Sequence, residues 1–167
     1  MGDESEMGAP LVAVLTGSPS DLEVVNVASE VLEHLDIPSE LKVLSALRTP
    51  DRVLRYIAQA EAAGVEVFIA CADRAAHLAG LVASHTLKPV IGVPLNSGQM
   101  GGLDALLSTV QMPAGIPVAA VGVDGARNAA YLAARILATK DPSILLRLQA
   151  DEQQQREHYD SVDDLAP

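Results

Sequence analysis

Short apolar runs typical of β-strands alternate with segments of helical periodicity along most of the sequence. A strand followed by a helix and another strand is typical of a parallel sheet, whose right-handed crossovers put helices on both faces. The sequence therefore predicts a doubly wound, parallel, five-stranded sheet in a three-layer α/β/α fold of the flavodoxin or Rossmann type. The strands are predicted at residues 11–15, 40–44, 66–70, 89–93 and 118–123, and the helices at 20–35, 51–63, 76–86, 103–110, 125–137 and from 141.

One domain accounts for most of the chain. With 167 residues, of which 49% are hydrophobic and 20% charged, the sequence has the composition of a globular protein with one domain. Residues 1–10 are predicted to be a flexible leader, residues 11–150 the domain, and residues 151–167 a charged C-terminal tail. Aromatic residues make up only 2%, so the alanine-rich helices at 76–86 and 125–137 are expected to pack against neighbouring subunits.

The acidic balance of the chain restricts its partners. A formal net charge of −11 opposes binding to nucleic-acid backbones and anionic membranes, so neither is expected as a partner. No apolar run approaches the length of a membrane span, and the first residues lack the basic flank and apolar core of a signal peptide. The single cysteine, Cys71, cannot form an internal disulfide, and together these features favour the cytoplasm.

The first strand ends in a sequence suited to binding an anion. Gly17 turns the chain, Ser18 is predicted as a helix N-cap and Pro19 as the first helical residue, with Asp21 two positions further on. The free N–H groups and the positive end of the helix dipole then face the space beyond the strand. Good capping alone explains the same residues, and the full glycine pattern of a nucleotide-binding loop is missing. A second junction of the same kind, at Thr49-Pro50, favours the anion site.

Polar residues in three loops are predicted to share one crevice, because ligands of such folds bind outside the carboxyl ends of the strands, where the winding reverses. The first loop supplies Ser18, Ser20 and Asp21, the second Ser45 and Arg48, and the third Asp73, Arg74 and His77. Two helix starts and an arginine suit a phosphate, and a nearby carboxylate suits ribose hydroxyls. Two alternatives stay open: Arg48 forms a surface salt bridge with Asp51 or Asp21, and His77 has a hydrogen-bonded packing role.

No metal site is predicted, because no pair of cysteine, histidine or carboxylate residues has ligand spacing within one element. The sequence also lacks a nucleophile elbow and a phosphate-binding GxxxxGK[ST] loop. Cys71, at the end of a buried strand, is reactive only if the following helix lowers its pKa. His34, His85 and His158 are predicted to be structural or solvated.

Five motifs follow one another over about residues 11–150: Gly17-Ser18-Pro19-Ser20-Asp21, Ser45-Ala46-Leu47-Arg48-Thr49-Pro50, Ala75-Ala76-His77-Leu78, Gly92-Val93-Pro94 and the run from Val110 to Pro117. They resemble the successive motifs of the PurE family, the N5-carboxyaminoimidazole ribonucleotide mutases and aminoimidazole ribonucleotide carboxylases. The resemblance implies an α/β/α subunit, a homo-octamer with sites shared between subunits, and purine-nucleotide biosynthesis without a metal or organic cofactor. It makes a nucleotide monophosphate the expected small-molecule partner.

The resemblance also implies roles for individual residues. Ser18, Ser20 and Arg48 would hold the substrate phosphate, and Asp21 the ribose. The other implied substrate-binding positions are Gly17, Ser45, Ala46, Ala72, Arg74 and Leu78. The expected catalytic positions are Leu47, Asp73 and His77.

Two departures from the family pattern bear on the chemistry. Leu47 stands where the family motif has the histidine that shuttles a proton at the imidazole carbon, and Asp73 and Arg74 replace a pair of glycines. The first departure removes the expected acid/base group, and the second stiffens the loop and adds two charges at the mouth of the site.

The expected function is that of an enzyme acting on aminoimidazole ribonucleotide or a related carboxylated nucleotide, altered from the standard mutase. Its reaction would be carboxylate transfer, carboxylation or decarboxylation. If the mutase reaction is kept, Asp73, His77 or water must replace the missing histidine. The alternative is a catalytically silent paralogue that binds a nucleotide or assembles with a partner.

Overall fold

Five strands form one parallel sheet, as the alternation of elements predicts. They are β1 (Val12–Thr16), β2 (Ser39–Val43), β3 (Val67–Asp73), β4 (Val90–Leu95) and β5 (Ala119–Ala120). Their order across the sheet is β2-β1-β3-β4-β5, that of a flavodoxin-like three-layer α/β/α fold. The structure is a computed structural model that describes residues 9–97 and 99–163. Most of the leader predicted at residues 1–10 and the last four residues of the predicted tail lie outside the described residues.

Helices lie on both faces of the sheet. They are a 3₁₀ turn (Pro19–Asp21), α1 (Leu22–His34), α2 (Pro50–Ala63), α3 (His77–Ala83), α4 (Leu103–Val110), α5 (Ala126–Ala138) and α6 (Pro142–Asp163). Gly64, at a φ of 107°, ends α2 in the left-handed conformation that favours glycine. Within the described part of the chain, no helix combines the length and the apolar character that a membrane span requires.

Each face of the sheet has its own core, because successive side chains of a strand point to opposite faces. Val12 and Val14 of β1 pack with α1, α5 and the start of α6, whereas Ala13 and Leu15 pack with α2 and α3. The whole of β1 is buried, as expected for a strand in the middle of a parallel sheet. The remaining helix, α4, lies beside α3 and packs against β4 and β5.

The alanines of α5 are buried inside the subunit. Ala126, Ala129, Ala130, Ala133 and Ala134 all have no exposed surface, and α5 packs against α1 and the sheet. Their small side chains let α5 and α1 approach each other closely within one subunit. The alanine content of α5 therefore gives no support to the expected packing of this helix against a neighbouring subunit, because α1, an element distant in the sequence, already covers the alanines.

The ends of several elements differ from the prediction. β3 continues to Asp73, because it pairs with β4 as far as the opposite residues Asp73 and Leu95. β5 is shorter than residues 118–123, because its pairing with β4 extends only over Ala119 and Ala120. α3 ends at Ala83, and α6 continues through residues 151–163, the segment predicted as a charged tail.

Candidate functional site

The carboxyl ends of β1, β2, β3 and β4 lie along one edge of the sheet. Thr16 is opposite Val43 of β2 and Cys71 of β3, and Asp73 is opposite Leu95 of β4. The loops after these strands therefore begin side by side. The strand order reverses between β1 and β3, which is where folds of this kind bind their ligands.

Hydroxyl groups of the first loop hold the Asp21 carboxylate in place. Thr16 Oγ1 donates to Asp21 Oδ2 at 3.3 Å, and Ser20 Oγ donates to Asp21 Oδ1 at 3.1 Å. Ser18 Oγ lies 2.8 Å from Ser20 Oγ and accepts the Ser20 N–H at 3.4 Å. Ser18 thus caps the 3₁₀ turn, one turn ahead of α1 rather than at α1 itself. Two hydroxyls and a carboxylate are presented together at the sheet edge.

Ser45 and Thr49 close the second loop. Ser45 Oγ accepts the Arg48 N–H at 3.2 Å, and Thr49 Oγ1 donates to the Ser45 carbonyl at 3.2 Å. Thr49 is the N-cap residue of α2, as the Thr49-Pro50 pair indicates, but its hydroxyl faces back to Ser45 and makes no capping hydrogen bond. Among the residues that the structure describes, no carboxylate lies within ion-pair distance of Arg48, so the predicted alternative of a salt bridge to Asp51 or Asp21 is not observed. The Arg48 side chain is exposed.

Two residues of the third loop adopt left-handed backbone conformations. Arg74 has a φ of 53° and Ala76 a φ of 42°, and the Ala76 N–H donates to the Asp73 carbonyl at 2.8 Å. A residue with a Cβ atom pays about 1–2 kcal/mol in this region, whereas glycine does not. The backbone is therefore strained at Arg74, one of the two positions where the family motif has glycine.

Asp73 reaches across to the loop that follows β4. Ser97 Oγ donates a hydrogen bond to Asp73 Oδ2, and Arg74 Nε lies 3.8 Å from the same oxygen. The Arg74 side chain is 74% exposed, so this ion pair contributes little, whereas that of Asp73 is only 34% exposed. Sequence reasoning missed Ser97, because the contact joins residues 24 positions apart and Ser97 belongs to no recognised motif.

Leu47 and His77 line a common cavity of about 410 Å³ between the second and third loops. Its apolar wall is formed by Ala46, Leu47, Ala75, Ala76, Leu81 and Met112, and its polar groups come from His77, Ser84 and Ser108. The Leu47 side chain is 71% exposed. The structure thus brings Leu47 and His77 to one cavity, while Asp73 and Arg74 lie outside its lining.

The other predicted substrate-binding residues differ in exposure. Gly17, Ser45, Ala46 and Ala72 are half-buried in the loops or strand ends at the sheet edge. Leu78 is different, because its side chain is buried in the core with α2. Any contact between Leu78 and a ligand would have to come from its backbone.

Cys71 is an inert core residue. It is fully buried in β3, and burial together with the negative charge of Asp21 raises the pKa of its thiol to about 12. The thiol is therefore protonated near neutral pH, and a helix that lowers its pKa is not observed. This excludes Cys71 as a nucleophile in the folded chain.

A larger groove of about 1290 Å³ lies between α1, α5 and α6. Its polar groups bond to one another: His34 Nε2 lies 2.9 Å from Asp151 Oδ1, and Tyr131 donates to Asp151 Oδ2 at 2.9 Å. None of the predicted site residues lines this groove. Within residues 9–97 and 99–163, no group of three or more histidine, cysteine or acidic residues is arranged to hold a metal ion.

Comparison with known proteins identifies the family. The model of the AIR carboxylase family matches residues 11–158. An N5-carboxyaminoimidazole ribonucleotide mutase from Pyrococcus abyssi is 53% identical over 143 residues, which are 86% of this chain and 82% of that protein. A bifunctional purine synthesis protein purC/E from Dictyostelium discoideum is 48% identical over 149 residues, which are 88% of this chain and 15% of that protein.

The fold is also that of solved structures. The crystal structure of PurE from Treponema denticola superimposes with a TM-score of 0.85 and is 29% identical, and the match covers 93% of this chain and 97% of that chain. Family model, relatives and structure agree with the motifs found in the sequence. The chain therefore belongs to the AIR carboxylase family, the family of PurE.

Proposed function

We propose that this chain is an enzyme that binds aminoimidazole ribonucleotide or one of its carboxylated forms and transfers, adds or removes the carboxylate. The observation that carries the proposal is the meeting of the motif-bearing loops at one edge of the sheet, where the fold binds ligands. A relative at 53% identity is named for the mutase reaction. Leu47 sets this chain apart from the family pattern and makes its chemistry an altered version of that reaction.

The phosphate of the substrate is proposed to bind between the first two loops. The hydroxyls of Ser18 and Ser20, which in the structure bond to each other and, for Ser20, to Asp21, would turn to donate to the phosphate oxygens, and the exposed guanidinium of Arg48 offers paired donors to them. Asp21, which Thr16 holds in position, would accept hydrogen bonds from the ribose. A chain with a net charge of −11 requires local donors of this kind to retain an anion.

Conversion of the N-carboxylated nucleotide to its C-carboxylated isomer moves one carboxylate and one proton. The bond from nitrogen to the carboxylate carbon breaks, CO₂ is released, and the nitrogen gains a proton. The ring carbon then bonds to CO₂ and loses its proton. No net proton is consumed, so one side chain that first donates and then accepts a proton serves both steps. Leu47 can do neither.

Asp73, starting the cycle as its carboxylic acid, is the side chain that we assign to this proton transfer: it first donates its proton to the nitrogen and then accepts the proton of the ring carbon. It brings an acid/base group to a position where the family pattern has glycine, in the same chain that lost the histidine at Leu47. Its bond from Ser97 fixes the carboxylate at the sheet edge. His77 is the rival, because it lines the same cavity as Leu47.

Loss of the carboxylate as CO₂ depends less on acid/base side chains than the proton transfer does. It proceeds by positioning and by exclusion of water from the departing group, which an apolar wall promotes. Leu47 and its neighbours Ala46 and Ala75 supply such a wall. Arg74, whose guanidinium is mostly exposed, is proposed to pair with the substrate carboxylate before it leaves.

The test is to incubate the purified protein with aminoimidazole ribonucleotide and with its N-carboxylated and C-carboxylated forms, and to separate the products. We expect conversion of a carboxylated form, and a larger loss of kcat in Asp73→Asn than in His77→Asn. The reverse order would assign the proton transfer to His77. Saturable binding without conversion of any of the three would replace the enzyme with the silent paralogue.

We also propose that the chain assembles as a homo-octamer. Leu103, Leu107 and Val110 lie on one face of α4 at helical spacing and are about half exposed, which leaves an apolar stripe for a neighbouring copy. Light scattering should give eight times the 17.4 kDa of one chain. Leu103→Asp with Leu107→Asp should lower this mass, whereas the control Leu87→Asp, at a fully exposed position outside α4, should not. A monomer at micromolar concentration would contradict the proposal.

A further inference from the structure

The loop that follows β4 is fixed on two sides by hydrogen bonds. The Ser97 N–H donates to the Leu95 carbonyl at 3.1 Å and turns the chain directly after the strand. The Asn96 N–H donates to Asp124 Oδ1 at 2.8 Å, and Ser97 Oγ donates to Asp73 Oδ2. Asn96 and Ser97 therefore connect the loop after β5 with the end of β3, across the edge of the sheet where the other loops meet.

The register of β3 and β4 explains why Ser97 reaches Asp73. Asp73 is opposite Leu95, the last residue of β4, and Ser97 follows Leu95 by two residues. Pairing of β3 with β4 as far as Asp73 thus sets the position of the Asp73 backbone. The tight turn at Ser97 then brings the Ser97 hydroxyl to the Asp73 side chain. The contact is a consequence of the sheet and does not require a long, adaptable side chain.

The surroundings of Asp73 make its two oxygens unequal. Within residues 9–97 and 99–163, the side chains that form a hydrogen bond or an ion pair with the carboxylate, those of Ser97 and Arg74, both do so at Oδ2. A hydroxyl donor on one oxygen restricts rotation of the carboxylate, since rotation would break the bond. Oδ1 is then the oxygen left for a substrate.

We infer that Ser97 is a positioning residue for Asp73, holding Oδ2 so that Oδ1 exchanges the proton with the substrate. This role rests on the proposed function, in which Asp73 transfers the proton. Catalytic groups need support of this kind, because a displacement of about 1 Å costs as much as 10²-fold in rate. Asp73 and Ser97 together would then form the unit that replaces the single histidine of the family motif.

The experiment compares kcat and KM of the wild type, Ser97→Ala, Ser97→Thr and Asn96→Ala on the N-carboxylated nucleotide. Ser97→Ala should lose about tenfold in kcat with little change in KM, because binding is intact and the carboxylate is misplaced. Ser97→Thr keeps the hydroxyl and should retain the rate. Asn96→Ala is the matched control, since the bond from residue 96 to Asp124 uses the backbone N–H.

Two further measurements separate positioning from a structural effect on the loop. Deuterium at the ring carbon should slow Ser97→Ala more than the wild type, because proton transfer becomes the slower step. In the Asp73→Asn background, Ser97→Ala should cause no additional loss. Equal rates of Ser97→Ala and wild type, or the same loss in both backgrounds, would overturn the positioning role alone. A wild type that converts none of the three nucleotides would instead overturn the proposed function, and this inference with it.

Discussion

The variant Leu47→His with Asp73→Gly and Arg74→Gly is expected to convert the N-carboxylated nucleotide faster than the wild type, and about 10²–10⁴-fold faster than Asp73→Gly with Arg74→Gly, the usual contribution of a positioned acid/base group. Residue 47 lines the cavity shared by the second and third loops, so a histidine there would present its ring to the same space as His77. The two glycines restore the loop of the family pattern and remove the left-handed strain at Arg74.

Leu47→His alone should recover only a small part of this gain. The third loop would still be strained at Arg74 and bound to Ser97 through Asp73, so it could not adapt to the new ring. The matched control is Asp73→Gly with Arg74→Gly, which has neither Asp73 nor a histidine at position 47. Its rate should be lower than that of the wild type. Initial rates of the four proteins on one substrate decide the matter. If the wild type already equals the triple variant, Leu47 has not impaired the mutase reaction.

The order of elements and the position of the crevice could be predicted, because both depend on local patterns. Apolar periodicity distinguishes strands from helices, and a parallel sheet necessarily gathers the loops after its strands at one edge. The start of α2 at Pro50 and its end before Gly64 follow from backbone preferences of single residues. These features need no knowledge of which elements pack together.

What the sequence could not predict are contacts between elements. The alanines of α5 gave no sign that α1 would cover them, since close packing of two helices is a property of both. The Thr49 hydroxyl bonds to the carbonyl of Ser45, a residue of the preceding loop, and not to the N–H groups of α2. The bond from Ser97 to Asp73 depends on how far β3 and β4 stay paired, which neither strand determines alone.

Arg48→Ala should weaken the binding of aminoimidazole ribonucleotide by roughly 1.5–3 kcal/mol, the range for a hydrogen bond to a charged group, or about 10–150-fold in Kd. Arg48 is exposed and forms no ion pair within the described residues, so its charge is free to meet a phosphate. The Arg48 N–H donates to Ser45 Oγ through the backbone, and this bond survives the substitution. The expected loss of affinity therefore measures the contribution of the guanidinium group and does not come from a change in the conformation of the loop.

Titration calorimetry with the nucleotide and with its dephosphorylated nucleoside measures this effect. Arg48→Ala should weaken only the nucleotide, since the nucleoside has no phosphate for the guanidinium to contact. Arg48→Lys should fall between wild type and alanine, because it keeps the charge and loses the paired donors. Arg52→Ala removes an exposed arginine from the first turn of α2 and should leave both affinities unchanged, which controls for the net charge. Equal affinity of the wild type for nucleotide and nucleoside would refute the phosphate site, and the first two loops would then bind some other part of the ligand.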